Sequence, residues 1–258
     1  MTRTPTAPAA PEWAGEELNN PHASSEKAGK VRRMFAAIAG SYDLNNHVHS
    51  LWRDQAWRRY AVKAAAVAPG ERVLDVACGT GDLTQALAAS PAGEVIGLDF
   101  TREMLDIARR KQQARPENQS AKIRYIEGDA QHLPFDDAEF GVVTIAFGIR
   151  NVTEPRRALA EFYRVLKPGG RLIVLEFDRP RCTPVRWFND FYCGWIMPRT
   201  ATLISGDRSG AYRYLPKSVG TFMMRDEMAR AMGETGFGGV TAKSLSLGIC
   251  VCYRGAKR

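Results

Sequence analysis

The sequence predicts an α/β fold in which helices cover both faces of a mostly parallel sheet. Three observations carry that expectation. Short apolar runs recur over 73–77, 95–98, 123–126, 142–147 and 172–177, and stretches of helical periodicity separate them, the pattern of strands buried on both sides. The first run stops at a glycine-rich loop, Cys78-Gly-Thr-Gly-Asp82, where a strand hands over to a helix. The composition is that of a globular chain: 258 residues, 45% hydrophobic and 25% charged, enough for one large domain.

The elements follow in chain order. Residues 1–25 are rich in Pro, Ala and Thr and lack an apolar core, so they read as a disordered tail rather than a secretory signal. Residues 26–258 read as a single domain, with a helical lid over 26–68 and an insertion over 178–222. Val31, Met34, Phe35 and Ile38 fall at i, i+3, i+4 and i+7, an amphipathic helix. Ser41-Tyr-Asp-Leu-Asn-Asn46 is expected to break it, before a second helix through Trp57 and Tyr60. Pro69-Gly70 marks a turn. After the glycine-rich loop come helices over 83–89, through Met104, Leu105 and Ala108, and over 158–166, the last ended by Lys167-Pro-Gly-Gly170. The insertion, dense in Arg, Trp, Phe and Tyr, interrupts the alternation. A helix over 226–235 and two strands over 240–247 and 249–253 close the chain, the strands forming an antiparallel edge hairpin through Gly248. The sheet is thereby expected to hold seven strands.

Charge is unevenly placed. Residues 1–178 hold 23 basic and 23 acidic side chains, whereas 179–258 hold 13 and 5. The whole formal excess of +8 therefore lies in the last third. Nucleic acid and an anionic membrane surface are both open readings of that asymmetry. The five cysteines form no Cys-x-x-Cys pair, which points to a reducing compartment, and no segment approaches the ~20 apolar residues that span a bilayer. His47 and His49 stand without a Cys, His or Asp cluster in sequence, so no metal site is expected.

The loop Asp75-Val-Ala-Cys-Gly-Thr-Gly81 has the chemistry of a ligand cradle. Gly79 and Gly81 let the backbone approach a ligand without Cβ clashes, and the following helix offers oriented N–H groups. Asp99 ends the second strand about 20 residues beyond, where a carboxylate can accept from ribose hydroxyls. The loop lacks the third glycine of a dinucleotide fingerprint. Asp75 would repel a pyrophosphate but can lie near a sulfonium or ammonium. Asp129 and Ala130, after the third strand, can face an exocyclic amine and a flat base. Together these features indicate an S-adenosylmethionine site.

Several segments then carry a closer resemblance: Ala39-Gly-Ser-Tyr-Asp-Leu-Asn-Asn46, Gly128-Asp-Ala-Gln-His-Leu-Pro-Phe135, Ala146-Phe-Gly-Ile-Arg-Asn-Val152 and Tyr212-Arg-Tyr-Leu-Pro-Lys-Ser218. With them the chain, from Val31 to Lys257, resembles the class I methyltransferases and, within them, the demethylmenaquinone/ubiquinone C-methyltransferase family. That resemblance implies a Rossmann-like fold and methyl transfer from S-adenosylmethionine to a ring carbon of a polyprenyl quinol. It places cofactor contacts on Thr80, Asp99, Asp129 and Ala130. Two positions depart from the pattern: Ala146, where relatives often carry Ser or Thr, and Tyr253, where they often carry His.

A ring carbon becomes nucleophilic when its neighbouring hydroxyl ionises, so the site needs a proton acceptor and a stabiliser for the oxyanion. Arg150 stays charged and can favour a phenolate. Asn151 can hold the second ring oxygen, and Tyr42, Asp43 and His49 are candidate base or relay groups. No Pro-Cys nucleophile and no Asn-Pro-Pro-Tyr or Asp-Pro-Pro-Tyr element follows the fourth strand. That argues against the nucleic-acid methyltransferases that use them. Another small phenolic or lipid substrate, or RNA, remain the alternatives. With a lipid quinol implied, the basic, aromatic last third is read as a membrane-facing surface, no nucleic acid is expected, and the protein is placed in the cytoplasm or peripherally on the inner face of its membrane. The oligomeric state is left open.

Overall fold

The computed structural model describes residue 13, residues 18–207 and residues 209–258. Helix α1 runs Lys27–His49 without interruption. The break expected at Ser41–Asn46 is therefore corrected. Ser41 Oγ donates to the Ile38 carbonyl and Asn45 Nδ2 to the Ser41 carbonyl, so these polar side chains bond back along the helix instead of ending it. The turn comes later, at Leu51 and Trp52, both with positive φ (50° and 59°), and α2 starts at Arg53–Ala65.

Then follow β1 (Arg72–Val76), α3 (Asp82–Ala88), β2 (Glu94–Asp99), α4 (Arg102–Gln113), the one-turn α5 (Glu117–Ser120), β3 (Ile123–Glu127), β4 (Phe140–Ala146), α6 (Pro155–Val165) and β5 (Leu166–Phe177). The insertion forms α7 (Thr183–Phe191), a π turn (Tyr192–Ile196), α8 (Met197–Ser205) and α9 (Ala211–Gly220), and the chain continues through α10 (Arg225–Thr235), β6 (Phe237–Leu245) and β7 (Cys250–Lys257).

The seven strands form one sheet in the order β3-β2-β1-β4-β5-β7-β6. β1 to β5 pair in parallel, and β7 lies antiparallel between β5 and β6. The order reverses between β1 and β4, the place where open α/β sheets leave a crevice at the carboxyl ends of their strands. One apolar core, including Leu74, Ile96, Val143 and Phe162, covers one face of the sheet; another, including Trp57, Leu87, Val95 and Ile173, covers the other. A third cluster joins α1, α4, α8 and α9 through Met34, Ile38, Met104, Ala201 and Tyr214. Cys250 and Cys252 are buried in the second core.

Most of the segment read as a tail lies outside the described residues. Its described part is packed, not free. Trp13 is buried and stacks on Tyr214 with ring centroids 4.5 Å apart, and a short 3₁₀ turn at Pro21–Ala23 carries His22, whose Nε2 bonds the Ser218 carbonyl at 2.9 Å. A buried Trp and a paired His explain why composition misplaced the boundary at 25.

Candidate active site

The carboxyl ends of β1, β2, β3 and β4 open onto a cavity of about 590 Å³ roofed by α1. Its floor is strained backbone. Ala77, which follows β1, and Phe147, which follows β4, both have positive φ (50° and 57°), an uncommon conformation for residues with a Cβ and one that clusters at functional sites. Gly79 also has positive φ (54°) with open space where a Cβ would project. A side chain there would occupy the cavity itself. Gly148 cannot take one either, since its Cβ would meet that of Ala77 at 2.6 Å.

Asp99 lines the cavity at the end of β2. One carboxylate oxygen accepts from the Gly79 N–H and the other from the Thr101 N–H, each at 2.8 Å. These donors fix the carboxylate while leaving lone pairs for further hydroxyls. Burial pushes the acid's pKa up, opposed by those N–H bonds. Asp129 and Ala130 sit on the same wall, Asp129 accepting from the Gln131 N–H at 2.9 Å.

Asp75 is not on the wall. It is buried below the loop, where one oxygen accepts from Thr84 Oγ1 and the other from Thr144 Oγ1, both at 2.6 Å. Burial pushes its carboxyl up to about 6. The expectation that Asp75 meets a cationic ligand group is thus corrected: it ties β1 to β4 and α3.

Thr80 and Gly81 shape the loop rather than line the cavity. The Thr80 hydroxyl donates to Asp43 Oδ1 at 2.5 Å, and Asp43 Oδ2 accepts from Lys111 Nζ at 2.8 Å. Gly81 has φ +82°, and a Cβ there would collide with the Tyr125 hydroxyl. Asp43 therefore has both oxygens engaged, which speaks against its use as a free base; it fastens the lid helix to the loop and to α4. Lys111 reaches Asp82 as well.

Tyr42 lines the cavity from α1, and burial raises its phenol pKa. Asn151 lines it from the turn after β4, its Oδ1 accepting from the Tyr214 hydroxyl at 2.9 Å. Arg150 does not. Its guanidinium is 4% exposed, donates to Glu176 Oε1 and to the Phe147 carbonyl at 2.6 Å each, and lies 5.4 Å from the Phe177 ring centroid. A direct contact between Arg150 and a ring oxygen is therefore corrected: the charge is already matched by Glu176, and the side chain braces the turn that presents Asn151. His49 is likewise elsewhere, with Nδ1 3.2 Å from the Tyr192 hydroxyl.

Three contributors escape sequence reasoning. Lys27, at the start of α1, is buried and donates to the carbonyls of Arg150 (2.9 Å) and Val152 (2.6 Å) and to His22 Nδ1 (3.0 Å). Burial first, and Arg150 second, lower its pKa to about 8. Arg32 of α1 pairs with Glu127 at 2.7 Å across the cavity mouth. His47 converges with Asp54 and Asp82, which the absence of a sequence cluster concealed. Arg58 pairs with Asp54 at 2.6 Å and Lys111 with Asp82, so these carboxylates are already compensated by cations. No sequence signal marks any of the three, because each joins segments far apart in the chain.

Comparison with known proteins bears on this cavity. The family described as the ubiE/COQ5 methyltransferase family matches residues 23–257. A protein of Erwinia tasmaniensis named ubiquinone/menaquinone biosynthesis C-methyltransferase UbiE is 39% identical over 237 residues, 91% of this chain and 93% of that one. A demethylmenaquinone methyltransferase of Deinococcus radiodurans is 44% identical over 234 residues, covering 90% and 95%. Among solved structures, a SAM-dependent methyltransferase of Thermotoga maritima, described as a possible histamine N-methyltransferase, superposes with a TM-score of 0.61 at 22% identity, over 88% of this chain and 100% of that one. That likeness speaks to fold.

Proposed function

The chain belongs to the ubiE/COQ5 methyltransferase family, and from that premise we propose that it carries a methyl group from S-adenosylmethionine to a ring carbon of a polyprenyl quinol, the step that gives menaquinol from demethylmenaquinol or its counterpart on the benzoquinol route to ubiquinone. The observation that carries the reading is the similarity, over 90% or more of the chain, to proteins named as quinone methyltransferases. The cavity fits the cofactor. Gly79 leaves room where a side chain would intrude, and Asp99 keeps free lone pairs beside it. In this reading Asp99 holds the ribose, while Asp129 and Ala130 hold the base. When bound, S-adenosylmethionine supplies an electrophilic methyl group.

The remaining chemistry falls to the chain's own side chains. Tyr42 stays protonated near neutral pH because burial disfavours its phenolate, so it serves as a hydrogen-bond donor to a developing oxyanion. Asn151, oriented by Tyr214, offers its amide to a ring oxygen. Arg150 acts through position, bracing the turn that carries Asn151. α1 excludes water from above. No described helix is long and apolar enough to cross a membrane. In this reading the protein meets its lipid quinol at the cytoplasmic bilayer surface.

The test is methyl transfer from labelled S-adenosylmethionine to short-chain demethylmenaquinol and to the corresponding demethylated benzoquinol. Label in one or both quinones is expected, and the ratio gives the ring preference. Label in RNA or an unrelated phenol, with none in either quinone, would overturn the reading.

A further inference from the structure

We propose that α7, the π turn and α8, together with the Leu51-Trp52 corner, form a docking edge that enters the surface of an anionic phospholipid bilayer. The proposal rests on the quinol reading for its purpose but not for its evidence.

The first observation is a ladder of exposed rings. Trp187, Phe191 and Trp195 are 72%, 46% and 55% exposed. Neighbouring ring centroids are 6.3 and 5.8 Å apart, with interplanar angles of 11° and 14°. In an α-helix, residues four apart drift by about 40° around the axis. The wider π turn at Tyr192–Ile196 turns less per residue and takes that drift back. Trp187 and Trp195 are thereby brought back toward the same side of the helix, with Phe191 stacked between them. Leu203, 85% exposed, extends the apolar surface at the far end of α8.

The second observation is the corner between α1 and α2. Leu51 and Trp52 are 78% and 60% exposed, and both hold left-handed backbone. Bulky side chains in that conformation are uncommon. Here the strain turns two large apolar groups outward instead of burying them. The hydrogen bonds between Tyr192 and His49, 3.2 Å each, set this corner beside the ring ladder. Exposed apolar surface shared by two elements marks an interaction site.

Charge selects the partner. Over residues 51–53 and 179–205 the chain carries Arg53, Arg179, Arg181, Arg186 and Arg199; Arg179 is paired with Asp190 and Arg181 with Asp226, each at 2.7 Å, so the basic excess of this edge rests on Arg53, Arg186 and Arg199. Arg199 lies 4.5 Å from the Trp195 ring centroid, an aromatic at headgroup depth with a cation beside it. The basic excess of the last third does not all lie at this edge. β7 runs antiparallel, so Arg254 and Lys257 lie toward the amino ends of the parallel strands, away from this edge. Only part of the basic excess faces the same way as the rings.

The edge also leads to the cavity. α8 and α9 pack on α1 through Ala201, Tyr212 and Tyr214, and α1 lines the cavity with Phe35 and Tyr42. A prenyl chain leaving a bilayer at this edge meets the lid helix first.

The test is flotation of the full chain with phosphatidylcholine vesicles, with and without phosphatidylglycerol. Flotation is expected with the anionic vesicles and at least about tenfold less without them. The triple variant Trp187→Glu/Phe191→Glu/Trp195→Glu should lose flotation by at least about tenfold and fall similarly on long-chain quinol held in vesicles. On a water-soluble short-chain quinol it should turn over like the wild type, which also reports that it folds. Leu51→Ser/Trp52→Ser should weaken flotation independently. The proposal is overturned if the wild type does not float, if the triple variant floats equally well, or if light scattering shows a dimer that the same substitutions dissolve, which would make the ladder a contact between copies. Flotation without methyl transfer to any quinol would sink the functional reading while leaving the docking edge standing.

Discussion

The cavity has two walls built on different physics. The sheet wall comes from the ends of β1, β2, β3 and β4, and apolar packing on both faces of the sheet fixes it. It presents a carboxylate, Asp99, clamped by the Gly79 and Thr101 N–H groups. The helical wall is α1, packed on α4, α8 and α9 through a separate apolar cluster and tied to the sheet wall by a few polar links: Thr80 to Asp43, Arg32 to Glu127, and Lys27 to the carbonyls of Arg150 and Val152. A wall held by packing can shift only with the core. The polar links between α1 and the sheet wall can loosen one at a time while the apolar cluster still holds the helix, so the sheet wall should govern stability and affinity and the links how the site closes.

The largest effect is expected where the sheet wall holds a buried charge. Arg150→Met leaves the buried Glu176 carboxyl, whose pKa burial already raises, without its cation, and should cost about 3–5 kcal/mol of unfolding free energy, read by urea denaturation. A loss below about 1 kcal/mol would show that the pair is not a structural brace. Next, Asp99→Ala should weaken S-adenosylmethionine binding about a hundredfold, near 3 kcal/mol, in calorimetry. Unchanged affinity would move the cofactor to the other wall.

Asp75 gives a pH signature. Its native pKa of about 6 lies above the ordinary carboxyl value of 3.8. The native state thus holds the proton more tightly than the unfolded chain. That share of stability is full below pH 3.8 and is lost as pH rises through 6, on the order of 2–3 kcal/mol. Asp75→Asn should flatten the stability profile in that window, and an unchanged slope would assign it to other groups. The smallest effect belongs to the helical wall. Thr80→Val should raise KM for S-adenosylmethionine several-fold, about 1 kcal/mol, with the melting temperature nearly unchanged. A large fall in melting temperature would erase the distinction between the walls.

The same contrast explains what the sequence made legible. Strand periodicity and a glycine-rich loop located the sheet, the crevice and Asp99, because these depend on local pattern. Asp75 was misassigned because its partner Thr144 lies directly opposite it across the β1–β4 pairing, and that register exists only in the folded sheet. Arg150 was misassigned for the same reason: Glu176 sits on β5, 26 residues away, and the sheet alone brings them together. Ser41-Tyr-Asp-Leu-Asn-Asn46 reads as a helix stop because polar residues often end helices. Here Asp43 finds Thr80 and Lys111, and Asn45 bonds back to Ser41. Lys27 and His22 gave no signal, since their acceptors are backbone carbonyls.

The position of β7 also bears on synthesis. β5 ends at Phe177, but the strand that covers its open edge begins at Cys250. Roughly seventy residues separate them, so a ribosome working at about 5–20 residues per second leaves that edge bare for about 4 to 14 s. An unpaired edge beside a finished parallel core is a template for misassembly. Chaperone demand and yield during expression should therefore depend on how fast residues 178–250 are translated.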